Sequence, residues 1–298
     1  MSKSPSPIPE GLVRGPFTHA AGREAGLSRA RMRARDLRAP TYGVRDRAVG
    51  AVCFEGRVRA FALALPGDVA FSHVTAARVL GLPMPSTWLP TEPLDVMRDS
   101  TRPRIERHGV RSHRGLEHRC TCPVDSARVT DALDTWADLS TLFGLGDLVA
   151  AGDVLVGARH ELRPKDLLRA AQDRTGRGAV RLREAAALVR VGAASPWESK
   201  ARVAFARWRL PEPQLNLDLY DAWGRWLARP DFVWKEQRVV GEYDGDQHRT
   251  DRRAWQYERE RRAGLEDEGW TYVEMTSLSL TGPRESAALR GRLTRLLL

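Results

Sequence analysis

The stretch RPDFVWKEQRVVGEYDGDQHR, residues 229–249, limits the fold more than any other part of the chain. Two apolar runs, WLARPDFVW and RVVGEY, flank the polar KEQ, as two strands folded back on each other would. Carboxylates stand at their edges: Asp231 on the first, Glu242 and Asp244 on the second, with His248 just beyond. Acids beside apolar strand positions are costly unless something pairs with them. Glu242 and Asp244 lie at i and i+2, so a strand presents both on one face. Asp231 precedes Glu242 by eleven residues, a separation that a hairpin folds back. A metal ion is one partner that would gather such acids, and plain surface exposure is the alternative.

The surroundings extend this pair into a domain over residues 195–298. SPWESKARVAFARWRL reads as a helix with Ser195 at its cap and Pro196 at the first helical position. Glu198 stands three residues after the cap, so a capping box explains it without any chemistry. QLNLDLYD reads as a strand, RRAWQYERERRAGLEDE as a helix closed by Gly269, WTYVEMT as a strand and PRESAALRGRLTRLLL as a last helix. The expected order is α-β-β-β-α-β-α. Glu258 and Arg261, at i and i+3, are expected to form an intrahelical ion pair.

The rest of the chain is expected to be α+β. Residues 1–15 read as a disordered leader. Residues 16–47 read as a helix-turn-helix-like module, with Thr18 capping one helix, Gly26 turning the chain and Ser28 capping a second helix, RARMRARDLR. That helix would offer Arg29, Arg31, Arg33, Arg35 and Arg38 to DNA phosphates or guanine edges; a solvated basic face is the plain alternative. Residues 48–124 mix AVCFEGRVRAFALAL, expected as a hairpin, with the helix HVTAARVLGLP and the strands LDVMRDS and GVRSHRG. His73, His108, His113 and His118 show no metal-ligand spacing there. Residues 125–194 read as a helical connector.

Composition bears on partners and compartment. The net charge of +10 favours a polyanionic partner such as DNA, although only four of the 48 basic residues are lysine, a skew that base composition alone also produces. No apolar run is long enough to cross a membrane. Three cysteines fit neither a disulfide framework nor a four-ligand zinc site, which points to a reducing cytoplasm.

The combined pattern, ARPDFVWKEQRVVGEYDGDQH followed by a charged helix and Gly269-Trp270, resembles the PD-(D/E)XK nuclease superfamily. Within it, the likeness is to the very-short-patch-repair (Vsr) endonuclease-like branch, over about residues 195–298. LSRARMRARDLRAPTYGVR and FSHVTAARVLGLP resemble the AbiEi-type antitoxin arrangement, with a winged-helix-like module. The resemblance implies a restriction-endonuclease-like core and a DNA endonuclease using Mg²⁺, or Mn²⁺ in its place. Asp231, Glu242 and Asp244 would hold the metal, and His248 and Glu198 would assist. Position 244 departs from the superfamily, which usually has lysine there, or histidine in the Vsr branch. A non-catalytic, antitoxin-like DNA-binding regulator with a degenerate core is therefore the rival, with a toxin or defence-system partner. Geometry separates the two: ligands at about 2.1 Å need three carboxylates gathered within about 5 Å.

Overall fold

A computed structural model describes residues 5–49, 51–245 and 252–298, the side chains of 252–258 excepted. The protein is mixed α and β, and its chain divides into two units, Met1–Leu139 and Ser140–Leu298. Among the described residues no helix is long and apolar enough to cross a membrane.

The first unit begins with α1 (Glu10–Val13), β1 (Phe17–Thr18) and α2 (His19–Glu24), which Thr18 caps through its hydroxyl. A 3₁₀ turn over Arg31–Arg33 follows, then β2 (Leu37–Arg38) and β3 (Val44–Arg47), giving a small sheet in the order β1-β3-β2. The expected α-helix over RARMRARDLR is therefore not formed. Arg45 explains why: its Nε donates to the Met32 carbonyl at 2.7 Å, taking the acceptor that a continuing helix offers to Asp36. Met32 is buried with Phe17 and Leu27, and Leu37 and Arg38 pair with β3 instead.

The segment expected as a hairpin is also a helix, α3 (Phe54–Ala62), with the Cys53 thiol as its N-cap. Phe54, Val58, Phe61, Ala62 and Leu65 share one apolar cluster, a three-and-four spacing that outweighs the weak alternation of AVCFEGRVRAFALAL. Then come β4 (Val69–Phe71), α4 (His73–Val79), β5 (Leu94–Arg98), β6 (Val110–Arg114), β7 (Thr121–Val124), β8 (Ala127–Thr130) and α5 (Ala132–Leu139). They build a mixed five-stranded sheet in the order β6-β5-β4-β8-β7.

Two histidines meet in this unit. The His73 and His113 rings stack with centroids 3.7 Å apart, and His113 Nε2 lies 2.8 Å from the carboxylate of buried Asp95. Burial first, and then the neighbouring His113, push His73 down to about 4. The unfolded chain then takes up a proton near pH 6.5 that the folded protein refuses until about pH 4. Stability is thus lost as pH falls through that window, by about 2–3 kcal/mol. Urea unfolding at pH 7.5 and pH 4.5 checks this. His73→Gln should flatten the difference, and an unchanged difference in that variant would assign it elsewhere.

The second unit opens with α6 (Leu145–Leu155), α7 (Pro164–Asp173), α8 (Ala179–Leu188) and α9 (Pro196–Arg207). It continues through β9 (Gln214–Leu215), the paired β10 (Leu219–Tyr220) and β11 (Trp226–Ala228), then β12 (Phe232–Trp234) and β13 (Val239–Tyr243). Helix α10 (Arg252–Asp267), β14 (Thr271–Met275), α11 (Ser277–Thr281) and α12 (Pro283–Leu297) complete it. The main sheet runs β14-β13-β12-β9, with β9, β12 and β13 antiparallel and β14 parallel to β13. One face packs Phe232, Trp234, Val239, Val273 and Met275 against Phe205 of α9 and Leu289, Leu293 and Leu297 of α12. The other face packs Val233, Val240 and Tyr272 against Leu265 of α10. Helix α10 ends where Gly269 enters the left-handed region at φ +77°, and the Trp270 N–H closes back on the Leu265 carbonyl at 2.9 Å.

Candidate active site

The antiparallel register sets Phe232 opposite Gly241, so Asp231 falls opposite Glu242. The Tyr243 N–H donates to Asp231 Oδ2 at 2.8 Å, tying the first acid to the strand that carries the second. Alternation puts Asp231 and Glu242 on the face of Val233 and Val240, beneath α10.

Glu242 is only 7% exposed. Arg261 of α10 grips it bidentately at 2.7 and 2.5 Å, and the Tyr272 hydroxyl donates to its Oε2 at 2.9 Å. Arg261 thus pairs across the fold with Glu242, while the expected pair with Glu258 lies outside the described residues. The reason is positional. Arg261 sits one turn before buried Leu265, so the same face of α10 turns to the sheet.

Glu198 comes to the same place from α9. It is 4% exposed, and its Oε2 accepts the Ala194 N–H at 2.9 Å and the Asn216 side-chain amide at 3.0 Å. Ser195 Oγ accepts the Glu198 N–H at 3.2 Å, which is half of the expected capping box; the glutamate reaches Ala194 rather than the cap residue itself. The helix end alone therefore does not account for it, because Asn216 is a tertiary partner.

Asp231 reports what this gathering does. Burial raises its carboxyl to about 7, and the charges of Glu198 and Glu242 push the same way, against the Tyr243 N–H and Arg261. A carboxyl shifted that far by burial and by two neighbouring acids is a mark of functional sites. Asp244 is half-buried where β13 ends, with its N–H donating to the Met275 carbonyl at 2.8 Å. His248 lies outside the described residues. Glu274, which sits opposite Glu242 in the parallel ladder, is exposed.

An all-oxygen donor set of three acids suits a hard cation such as Mg²⁺. Asp231, Glu242 and Asp244 are nevertheless not a trio with mutually close oxygens in this arrangement. Among the described residues, the group whose three ligand atoms lie within 4.8 Å of one another is Cys120, Asp131 and Asp134, in the first unit. Its hydrogen bonds explain that cluster as a helix cap: Asp131 accepts the Asp134 N–H at 2.8 Å, and Asp134 accepts the Cys120 N–H at 2.7 Å.

The arginines expected to meet DNA divide into two sets. Arg31 is buried, with a fork on Asp36 at 2.9 and 2.7 Å, and Arg38 holds Asp46 at 2.8 Å. Both are structural. Arg29, Arg33 and Arg35 are exposed.

Comparison with known proteins adds little that is functional. The chain is 30% identical over 125 residues to "Uncharacterized protein Rv2248" and to "Uncharacterized protein MT2308", both of Mycobacterium tuberculosis. The match takes in 42% of this chain and 45% of each relative, so the chain spans about half the length of the curated relatives it matches. No family model and no solved structure matches.

Arg261, Tyr272 and Asn216 are the site residues that sequence reasoning missed. For Arg261 the signal was present, since a cation one turn before Leu265 in a charged helix faces the sheet. Tyr272 and Asn216 carried no local signal.

Proposed function

We propose that the second unit is a metal-dependent phosphodiesterase of PD-(D/E)XK type acting on DNA, with the first unit supplying affinity through the exposed Arg29, Arg33 and Arg35. What supports this reading is that Glu198 and Glu242 both act on the buried carboxyl of Asp231, with Arg261 opposing them, although these three acids, like Asp231, Glu242 and Asp244, do not bring three oxygens within 4.8 Å of one another. The arrangement of β9, β12 and β13 as antiparallel neighbours, with helix α10 leading to β14 parallel to β13, supports the reading, although the separate β10–β11 pair is inserted between β9 and β12. A Mg²⁺ bound here would relieve charge on the scissile phosphate and activate a water. Asp231 and Glu198 keep a carboxylate oxygen outside the hydrogen bonds described above, and they would hold it. Glu242 would join once Arg261 shifts from it towards a substrate phosphate, which a planar guanidinium binds equally well. His248 keeps the assisting role expected of it, as general base or acid, while Glu198 takes the ligand place expected of Asp244 and Asp244 would assist.

One observation favours the second reading, a non-catalytic antitoxin-like regulator with a toxin or defence-system partner. Both Glu242 oxygens are already engaged by Arg261 and Tyr272, a closed arrangement that stabilises a scaffold without any metal.

Plasmid and linear DNA, with RNA in parallel, separate the two readings when incubated with the purified protein in Mg²⁺, Mn²⁺ or EDTA. Metal-dependent cleavage that Asp231→Ala abolishes is expected. Binding without cleavage would select the regulator, and cleavage that survives the substitution would belong to another site. In EDTA, contacts from Arg29, Arg33 and Arg35 predict a slope of about −3 for log affinity against log salt, reduced by about one for each arginine replaced by glutamine. A slope that none of the three changes would move the DNA surface elsewhere.

A further inference from the structure

The first unit holds a cavity of about 520 Å³ lined by Arg57, Phe61, Cys53, Thr91 and His108, with prolines 40, 90 and 93 on its walls. Its charges are unevenly answered. Arg38 also lines it, but its guanidinium is held by Asp46 at 2.8 Å. Arg57 has no such partner: its Nε is shut from solvent and meets no acceptor among the described residues. The guanidinium lies over the Phe61 ring, 5.5 Å from the centroid. The acid whose charge acts on it, Glu92, accepts the Leu89 N–H at 3.0 Å and lies 3.7 Å from Arg78. Burial accordingly lowers the pKa of Arg57, which a bound anion would oppose.

The backbone makes room for this arginine. Gly109 sits at φ +81°, and a Cβ there would stand 2.9 Å from Arg57 Nη2 and 3.2 Å from the Phe61 ring. A shielded donor without an acceptor normally costs stability, and natural proteins keep few of them. A mainly apolar cavity with a few convergent polar groups is the usual form of a small-molecule site.

We propose that this cavity binds a small molecule carrying a flat apolar body and one anionic group, carboxylate or phosphate, with Arg57 as the anion contact. The body would lie against Phe61 and the prolines, and Thr91 and His108 would complete the polar rim. This is a ligand site in the first unit, independent of the chemistry proposed for the second.

Calorimetric titration of the full-length protein tests it with two anions, adenosine monophosphate and benzoate, against their neutral counterparts, adenosine and benzamide. Saturable binding of at least one anion, at least about tenfold tighter than its neutral counterpart, is expected, and the anion that binds distinguishes phosphate from carboxylate. Arg57→Gln should weaken that binding at least about tenfold, whereas Arg284→Gln, at an exposed position of α12, should leave it unchanged. Cys53 gives a second readout that needs no variant: the bound anion should slow its reaction with a thiol reagent and leave exposed Cys120 unaffected. Neither anion binding, equal binding of the neutral compounds, or undiminished binding by Arg57→Gln would overturn the proposal. Protection of Cys53 by duplex DNA but by neither anion would overturn it as well, assigning Arg57 to a nucleic-acid surface.

Discussion

Asp231→Asn should abolish metal-dependent DNA cleavage and, in the same protein, raise stability above pH 7. The two effects have one cause. Asp231 is raised to about 7 because burial and the charges of Glu198 and Glu242 penalise its ionised form. A folded pKa above the unfolded value of about 3.8 means that the folded state holds the proton more tightly. Asp231 therefore contributes stability that is fully present below about pH 4 and is lost as pH rises through 7. In metal-free protein at pH 8.5, the asparagine variant should be more stable than the parent by about 1–3 kcal/mol, a range that allows for partial exposure. Below about pH 4 the gain should vanish, because the folded and the unfolded parent are then both protonated. Denaturant unfolding in EDTA at the two pH values checks this. A variant less stable at pH 8.5 would show that the Tyr243 N–H contact outweighs the repulsion.

The loss of cleavage follows from the other side of the same balance. A cation that binds the ionised carboxylates is stabilised by the repulsion it removes, and asparagine offers it a neutral amide oxygen. Removing a principal metal ligand should lower cleavage by at least about 100-fold. Conservative as it is, Asp231→Asn should therefore trade activity for stability, as substitutions in strained functional sites commonly do.

The largest loss of stability is expected from Asp153→Ala. Asp153, on α6, is 5% exposed and accepts hydrogen bonds from the Ser199 hydroxyl at 2.6 Å, the Arg190 N–H at 2.7 Å and the Arg202 guanidinium. Ser199 and Arg202 are on α9, so this carboxylate pins to α6 the helix that delivers Glu198. Alanine would leave the Arg202 guanidinium, 6% exposed, without its carboxylate, and breaking such a buried pair costs about 3–5 kcal/mol. Because α9 also positions Glu198, cation binding should weaken along with folding. Urea unfolding measures the first effect; a loss below about 1 kcal/mol would mean that Arg202 finds another partner.

The second unit was legible where its signals are local, although QLNLDLYD and WLARPDFVW, each expected as one strand, are split between the β10–β11 pair and the main sheet. Two apolar runs around KEQ, Pro196 after Ser195 and Gly269 after a charged stretch each mark an element by its own chemistry. The first unit was less so. RARMRARDLR has the cap and the spacing of a helix, but Arg45, more than ten residues on, claims the Met32 carbonyl. AVCFEGRVRAFALAL offers weak alternation and a helical stripe together, and the apolar cluster around Phe61 decides for the stripe. At the site, Asp231 and Glu242 were legible because a hairpin makes them cross-strand neighbours. The contact of Arg261 with Glu242 was not, since the two lie 19 residues apart and only the fold brings them together. Nor could spacing alone reveal that Asp244, two residues after Glu242, would stand where β13 ends.

The central claim is that Asp231, Glu198 and Glu242 form a cation site, and titration with Mn²⁺ followed by electron paramagnetic resonance tests it most directly. The wild-type protein in the presence of a short duplex should bind Mn²⁺ at one site that Asp231→Asn and Glu198→Gln each weaken at least about tenfold. Mn²⁺ binding that is absent, or that neither substitution changes, would contradict the claim and leave these carboxylates as a structural cluster closed by Arg261.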